Sequence, residues 1–189
     1  MKKIVIRFNA PVILTFALLS LLALLLGNWT NGATTYQYFS VYRASLSDPL
    51  TYVRFFGHVL GHADYEHYMS NMLLILLVGP GLEEKYGSGT MVWIIALTAL
   101  ITGLVHFLFF PNTVLLGASG VVFMMIVLSS FTAMRRGEIP VTLILVVIFY
   151  LGGEIMDGLF KQDSISQITH IVGGLCGLVF GFTIRRGRR

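Results

Sequence analysis

Long apolar stretches with almost no charged residues are the feature that most limits what this chain can fold into. Six such stretches occur, at about residues 11–27, 67–82, 90–110, 117–134, 139–157 and 165–184. A helix needs about 20 mostly apolar residues to cross a bilayer. Only 12% of the 189 residues are charged, about half the fraction usual in soluble domains. The sequence therefore predicts an all-α polytopic membrane protein with six transmembrane helices, forming a single domain over residues 1–189.

The lysine and arginine residues give the predicted orientation. If the N-terminus is cytoplasmic, ten of the 13 fall in cytoplasmic segments, and three, Arg43, Arg54 and Lys161, fall outside. Because cytoplasmic loops are enriched in basic residues, both termini are expected in the cytoplasm. The net charge of +4 is thereby explained without a nucleic-acid partner. No signal-peptide cleavage site follows the first apolar run, so we expect a retained helix in a multi-pass protein of a bacterial inner membrane, surrounded by lipid bilayer.

Residues 28–66 form the one long outer loop of this arrangement. The loop contains many aromatic residues and few charges. Aromatic rings favour the boundary between lipid and water, so we expect the loop to fold at the outer interface, partly as amphipathic helix.

Four polar side chains lie inside predicted spans, where burial in lipid is costly: His67 and Asn71 in the second, Ser119 in the fourth and His170 in the sixth. These spans run inward, and 15 or 16 residues separate Ser119, His170 and His67 from the charged residues Arg135, Arg185 and Glu83 at their cytoplasmic ends. At a helical rise of about 1.5 Å per residue, the three lie about 22–24 Å above the inner boundary. The apolar core is about 30 Å thick, so we expect one site just below the outer surface.

The residue types at that depth suggest nucleophilic catalysis. A serine hydroxyl becomes a useful nucleophile when a base accepts its proton, and histidine, whose ordinary pKa is near neutrality, is the usual base. Ser119 and His170 are therefore a candidate dyad. The Ser119 backbone N–H, the Asn71 amide and the His67 ring are candidates for stabilising an oxyanion.

Glycines would allow the close approach that this site needs. Gly117 and Gly120 flank the serine, where they let a substrate backbone come near. The sixth span carries a glycine at every fourth position: Gly173, Gly177 and Gly181. His170 lies on the same face, and small faces let two helices pack closely. If the partner is the fourth span, the imidazole can reach Ser119.

Each feature taken alone also has a simpler explanation. Small residues in an apolar helix usually serve packing, and polar residues in a span usually bond a neighbouring helix. No acidic residue is spaced convincingly to orient His170; the candidates are Glu154, Asp157 and Asp163. His58, His62 and His67 leave a metal site as an alternative, but no H-E-x-x-H motif is present.

Four motifs, in this order and spacing, resemble those of the rhomboid intramembrane serine proteases. They are HYMSN with His67 and Asn71, GPGLEEKYG with Gly79, Glu83 and Gly87, GASG with Ser119, and HIVGGLCG with His170, Gly173, Gly174 and Gly177. The resemblance runs from about Arg54 to the end of the chain. It implies a six-helix bundle, Ser119 as nucleophile, His170 as general base, no cofactor and no metal. It also implies that His67, Asn71 and the Ser119 N–H surround the oxyanion, and that Phe123 packs against the catalytic imidazole.

The same resemblance implies a substrate class and an access route. Rhomboid proteases cut transmembrane segments of other membrane proteins, so the site is expected to open to the outer side and to admit substrates past the fifth span and the segment KQDSIS, residues 161–166. Thr102 and His106 are expected either to line a water-filled cavity or to bond neighbouring helices. Many members carry Trp-Arg in the first loop, but this chain has Val53-Arg54, so Arg54 alone is expected to order the loop. Glu83 is expected to be structural.

Two other functions compete with the protease. A non-catalytic rhomboid-like binder would retain or escort transmembrane helices, but such proteins typically lack the serine or the histidine, and this chain has both. A small transporter or channel would need a polar path to the inner side, and the second, fourth and sixth spans are nearly apolar below the site.

Overall fold

The computed structural model describes residues 8–132, 138–152 and 164–184, and these residues are mainly helical. The helices are α1 (Pro11–Trp29), α2 (Ala33–Tyr38), α3 (Pro49–Gly57), α4 (Tyr65–Tyr86), α5 (Ser88–Phe109), α6 (Ser119–Ser129), α7 (Val141–Val146) and α8 (Ser164–Thr183). A 3₁₀ turn, His58–Leu60, follows α3, and a π-helical turn, Val147–Leu151, continues α7.

Five of the predicted spans coincide with a helix, although at least one end of each differs from the prediction. Of the fifth span, 139–157, the structure describes residues 139–152, which contain α7 and the π-helical turn. The second span is longer, because α4 runs from Tyr65 to Tyr86. The fourth is shorter, since α6 ends at Ser129. By length and composition, two of the described helices, α1 and α5, can cross a membrane, while α6 and residues 167–183 of α8 are apolar but shorter. Six crossings therefore stay a prediction.

A buried carboxylate holds the start of α1. Pro11 occupies the first turn, where its missing N–H costs nothing. The amides of Val12 and Ile13 donate to the two oxygens of Glu83 at 3.0 Å each, and the Ser88 hydroxyl donates to the first of these oxygens at 2.7 Å. A negative charge at a helix N-terminus is stabilising. Glu83 thus ties the end of α4 to the starts of α1 and α5.

Glycines bring α8 directly onto α6, the most extensive packing between two described helices. A Cβ atom at Gly177 would lie 2.5 Å from the carbonyl oxygen of Met124, and one at Gly173 would overlap the carbonyl oxygen of Gly120. Gly181 likewise faces the ring of Phe131. Because the glycines repeat every four residues, they share one face of α8. On that face the backbone of α8 packs directly against α6, with no side chain of α8 between them.

The segment between α1 and α4 contacts the middle of α5 as well as its end. The His58 Nε2 atom lies 3.0 Å from the carbonyl oxygen of Ala99, and the backbone oxygen of Phe55 lies 3.1 Å from the Cβ position of Gly103. Ala99 is the twelfth of the 22 residues of α5. The segment therefore descends to about half the height of that helix, and it does so with α2, α3 and a 3₁₀ turn.

Arg54 holds this segment together from inside. Its side chain is buried, with Nε donating to the carbonyl oxygen of Gln37 at 2.9 Å and Nη1 paired with an Asp48 oxygen at 3.1 Å. Its guanidinium also lies over the ring of Tyr42, 4.6 Å from the centroid. A buried guanidinium with these partners ties three positions of the loop together.

Candidate active site

A short extended connection places Ser119 at the start of α6. In this connection, Leu115 and Val41 exchange two backbone hydrogen bonds of 2.8 Å, and the Gly117 N–H donates to the His58 carbonyl oxygen at 2.9 Å. Gly117 then turns the chain with a φ of +123°, a value that side chains rarely allow. Ser119 follows as the first helical residue. First-turn amides lack intrahelical partners, and the helix dipole favours negative charge there, so this position suits an oxyanion.

His67 lies against the same turn. A Cβ atom at Gly117 would be 2.8 Å from both Cε1 and Nε2 of His67, so the imidazole edge occupies the space that a side chain would fill. The backbone of His67 is fixed in the first turn of α4, where its N–H donates to Asp64 Oδ1 at 2.7 Å. Asn71 sits one turn further along and donates from Nδ2 to the His67 carbonyl oxygen at 3.1 Å. This bond uses one of the two amide hydrogens.

Phe123 orients the second histidine. It lies one turn after Ser119 on α6, and its ring stacks on the His170 imidazole with centroids 4.3 Å apart and planes inclined by 7°. The close crossing of Gly173 over Gly120 sets the distance between the two helices. His170, one turn before Gly173 on α8, is therefore held above the start of α6.

These side chains surround one cavity of about 320 Å³. Ser119, His170, His67, Asn71 and Phe123 all line it. The remaining lining residues are Ser70, Leu74, Leu115, Leu116, Val122 and Thr169. The polar residues that the sequence placed at one depth on three helices thus meet, and the lining formed by the described residues holds imidazole, amide and hydroxyl groups but no carboxylate.

Other sequence candidates lie elsewhere. Arg54 and Glu83 make the loop and helix-end contacts described above and do not line the cavity. The Thr102 hydroxyl donates to the carbonyl oxygens of Thr98 and Ala99 at 2.8 and 3.1 Å, and the His106 ring bonds the Thr113 carbonyl oxygen at 3.2 Å. The Thr102 hydroxyl thus bonds its own helix and the His106 ring bonds the connection after α5, so neither makes the expected bond to a neighbouring helix, and neither residue lines the cavity. Glu154, Asp157 and residues 161–163 of the predicted gate lie outside the described residues.

Several neighbours of the site were not anticipated. The Ser70 hydroxyl donates to the His67 carbonyl oxygen at 2.9 Å. The His62 ring packs edge-on against His67, with centroids 5.0 Å apart. Burial lowers the pKa of His62 to about 4, so it stays neutral beside His67 at physiological pH. The sequence grouped His62 with His67 only as possible metal ligands and did not predict the contact between their rings. Within the described residues, no group of three acidic, histidine or cysteine side chains is placed to hold a metal ion.

Comparison with known proteins identifies the class. Residues 49–187 match the Rhomboid domain, so the chain belongs to the rhomboid family of polytopic, all-helical membrane proteins, a family of intramembrane proteases. It is 31% identical over 140 residues to Rhomboid-related protein 1 of Caenorhabditis elegans, covering 69% of this chain and 39% of that protein. It is 27% identical over 173 residues to Rhomboid-related protein 2 of Mus musculus, covering 78% and 56%. The chain thus spans less than two thirds of each relative, and it is an integral membrane protein.

Proposed function

We propose that this chain is an intramembrane serine endopeptidase that hydrolyses peptide bonds in or near the transmembrane segments of other membrane proteins. The observation that carries the proposal is the cavity shared by Ser119 and His170, with His67 and Asn71 in the same lining. A serine, a histidine and nearby donors around one cavity are the parts that acyl transfer requires.

The arrangement assigns a role to each group. The Ser119 hydroxyl attacks the scissile carbonyl carbon while His170 accepts its proton, and the same imidazole then gives a proton to the leaving amine. The carbonyl oxygen becomes an oxyanion near the Ser119 N–H, the His67 ring and the Asn71 amide. In the second half of the reaction a water molecule attacks the acyl-enzyme, again with His170 as the base. Phe123 stacks on the imidazole and limits its rotation.

The location of the cavity supports a membrane-embedded substrate. Ser119 begins α6 and His67 lies in the first turn of α4, so the catalytic groups sit at the ends of these helices where the long first loop also lies. With six crossings and cytoplasmic termini, this end faces the outer side. Substrate backbone must unwind to reach the serine, and polar backbone in lipid is tolerated only within such a protein cavity.

The test is cleavage of a transmembrane reporter by the purified chain in detergent and in liposomes. Ser119→Ala and His170→Ala should each abolish cleavage while retaining the unfolding temperature of the wild type. Ser129→Ala is a matched control, because Ser129 lies in the same helix and its hydroxyl only donates to the Ile126 carbonyl oxygen. Wild-type activity that persists in Ser119→Ala would refute the dyad.

The alternative function is a non-catalytic binder of transmembrane helices. A wild-type chain that binds the reporter helix without cutting it, at any pH from 5 to 8, would establish this alternative. The protease predicts instead that cleavage falls on acidification, because a protonated imidazole cannot accept the serine proton.

A further inference from the structure

A second cavity, the His62 cavity, lies between the end of α1, the first loop and the connection that precedes α6. Its volume is about 470 Å³. One water molecule occupies about 30 Å³ in the liquid, so the cavity has room for on the order of ten. The lining residues described by the structure carry no formal charge, and their polar side chains are Asn28, Asn31, Thr35, Tyr36, Ser40 and His62. Neutral donors and acceptors around such a space suit water better than an ion.

The His62 cavity leads from the surface to buried polar groups. Asn28, Asn31 and Tyr36 are exposed, whereas Ser40 and His62 are 0% and 1% exposed. The Ser40 hydroxyl donates to the Tyr36 carbonyl oxygen at 2.8 Å, and its oxygen can still accept a hydrogen bond. Water can therefore enter past the exposed amides and find partners at the buried end.

The contacts of His62 determine which of its ring nitrogens carries the proton. Nδ1 lies 3.2 Å from the Leu60 carbonyl oxygen, which can only accept, so the proton is on Nδ1. The ring is neutral because burial lowers its pKa to about 4, and Nε2 is then an acceptor. Among the residues that the structure describes, no donor lies within hydrogen-bond distance of Nε2. A buried acceptor without a donor costs about 1–3 kcal/mol, and a bound water molecule removes that cost.

Two contacts join the His62 cavity to the catalytic cavity. Leu116 belongs to the lining of both. The His62 ring packs edge-on against His67, with centroids 5.0 Å apart, and His67 lines the catalytic cavity. Substrate backbone that enters the catalytic cavity, about 320 Å³ in volume, displaces water from it. Hydrolysis nevertheless needs one water molecule after acylation, so a store beside the catalytic cavity serves the reaction better than one inside it.

We propose that the His62 cavity holds the water consumed in the second half of the reaction, and that this water reaches the acyl-enzyme past Leu116. The proposal rests on the proposed function. The water oxygen forms a bond to the acyl carbon while His170 accepts a water proton. The bond from that carbon to Ser119 Oγ then breaks, and His170 returns the proton to Oγ, which leaves a carboxylic acid and the free serine. His62 is a positioning residue, because it holds water and touches neither substrate nor nucleophile.

The experiment compares two transmembrane reporters, cut by the intact purified chain in liposomes. In one the scissile bond is the amide, and in the other it is an ester, which acylates the serine faster, so that attack by water limits kcat. Ala63→Phe fills the His62 cavity, because Ala63 is in its lining. Ala33→Phe is the matched control, since Ala33 is equally exposed and lies outside that lining.

We expect Ala63→Phe to lower kcat for the ester about tenfold, the rate effect of about one hydrogen bond, and to leave kcat for the amide unchanged. The intact mass should then show the N-terminal fragment bound to Ser119. Ala33→Phe should change neither reporter. An unchanged kcat for the ester in Ala63→Phe would overturn the proposal.

His62→Phe separates water binding from packing. It removes the acceptor but keeps a ring against His67, so it should also slow the ester alone. If His62 only supported His67, the oxyanion would be affected in both halves of the reaction. Equal slowing of both reporters by His62→Phe would therefore overturn the proposal.

Radiolytic hydroxyl-radical labelling tests the bound water without proteolysis, because radicals formed from bound water oxidise the side chains beside it. His62 should be oxidised in the wild type and in Ala33→Phe, and should lose that label in Ala63→Phe. An unlabelled His62 in the wild type would overturn the proposal. A labelled His62 in a wild type that cuts neither reporter would refute the proposed function, and with it the delivery of water, so the two failures have different signatures.

Discussion

Replacing Gly117 by alanine tests how closely the geometry of the turn is coupled to the candidate catalysis. Gly117 has two reasons to lack a side chain. Its φ of +123° is unfavourable for any residue with a Cβ atom, and that atom would lie 2.8 Å from two atoms of the His67 ring. The variant therefore applies a backbone strain and a displacement of His67 together.

The two effects have different sizes and different consequences. A residue held at such a φ costs about 1–3 kcal/mol of stability. Carbon atoms in ordinary contact are about 3.5–4.0 Å apart, so the His67 ring must retreat by about 1 Å. A misplacement of about 1 Å in a catalytic arrangement can cost about 100-fold in rate. We therefore expect kcat to fall about 100-fold, with a loss of stability no larger than the strain alone explains.

Two other glycines separate the strain from the displacement. Gly32 and Gly87 have φ values of +87° and +84°, and a Cβ atom at either would meet nothing within 4 Å. Gly32→Ala and Gly87→Ala should thus lower the free energy of unfolding by a similar amount but leave kcat within about threefold of the wild type. Reporter cleavage gives kcat and KM, and chemical unfolding gives the free energy.

The reasoning fails if Gly117→Ala retains kcat while losing the same stability as the two controls. That result would mean that His67 can move by about 1 Å without consequence, so it would not be an oxyanion donor. A loss of activity equal in all three variants would instead attribute the effect to backbone strain.

Three further outcomes follow from the same contacts. Glu83→Gln places a side-chain N–H against one of the two buried α1 amides, so it should lower the free energy of unfolding by about 2–3 kcal/mol in chemical denaturation. Ser88→Ala removes one hydrogen bond and should lower it by about 1 kcal/mol. Gly177→Ala should destabilise the chain by at least about 2 kcal/mol, because the new Cβ atom would meet the Met124 carbonyl oxygen. Gly81→Ala should be neutral or stabilising, because a Cβ atom there would have nothing within 4 Å. Equal effects of the two substitutions would contradict the close α6–α8 packing. Burial lowers the pKa of His62 from 6.5 to about 4, so on acidification the unfolded chain binds this proton before the folded chain does. The free energy of unfolding should therefore fall by up to about 3 kcal/mol as the pH drops from about 6.5 to 4. His62→Phe should flatten that part of the pH profile.

The positions of the helices were largely predictable because a bilayer imposes a minimum apolar length. Their ends were not, because contacts between distant parts of the chain decide them. α4 continues to Tyr86 past the predicted end at residue 82, and in this extra turn Glu83 is bonded to the start of α1. No local pattern announces that partner, which is 70 residues away in the sequence.

The contact of the first loop with the middle of α5 was not predicted, for a related reason. Its aromatic residues are typical of a membrane interface, and that composition says nothing of which helix the loop contacts. The bond between His58 and the Ala99 carbonyl oxygen draws the loop down to the middle of α5. The partners of Thr102 and His106 could not be decided from the sequence either, since a polar side chain in a helix can bond its own helix or a neighbour.

The residues of the candidate site were predictable because depth in a membrane is a one-dimensional coordinate that sequence spacing measures. Counting from the charged helix ends places Ser119, His170 and His67 at one level, and the cavity contains all three. The rotation of each helix about its axis is a second coordinate. For His170 it was predicted from the glycines of α8, which mark the face that packs closely against another helix. His62 lies on a non-helical segment, where neither coordinate can be counted.

Backbone contacts help to set the positions of both members of the candidate dyad. Ser119 is positioned through Gly117, whose N–H is bonded to the His58 carbonyl oxygen, and His170 through the close approach of Gly173 to Gly120. With both backbones held in this way, the side-chain rotations remain to be restricted, and the stacked ring of Phe123 restricts that of His170. The first loop is therefore part of the site, because whatever shifts His58 shifts the turn that presents the serine.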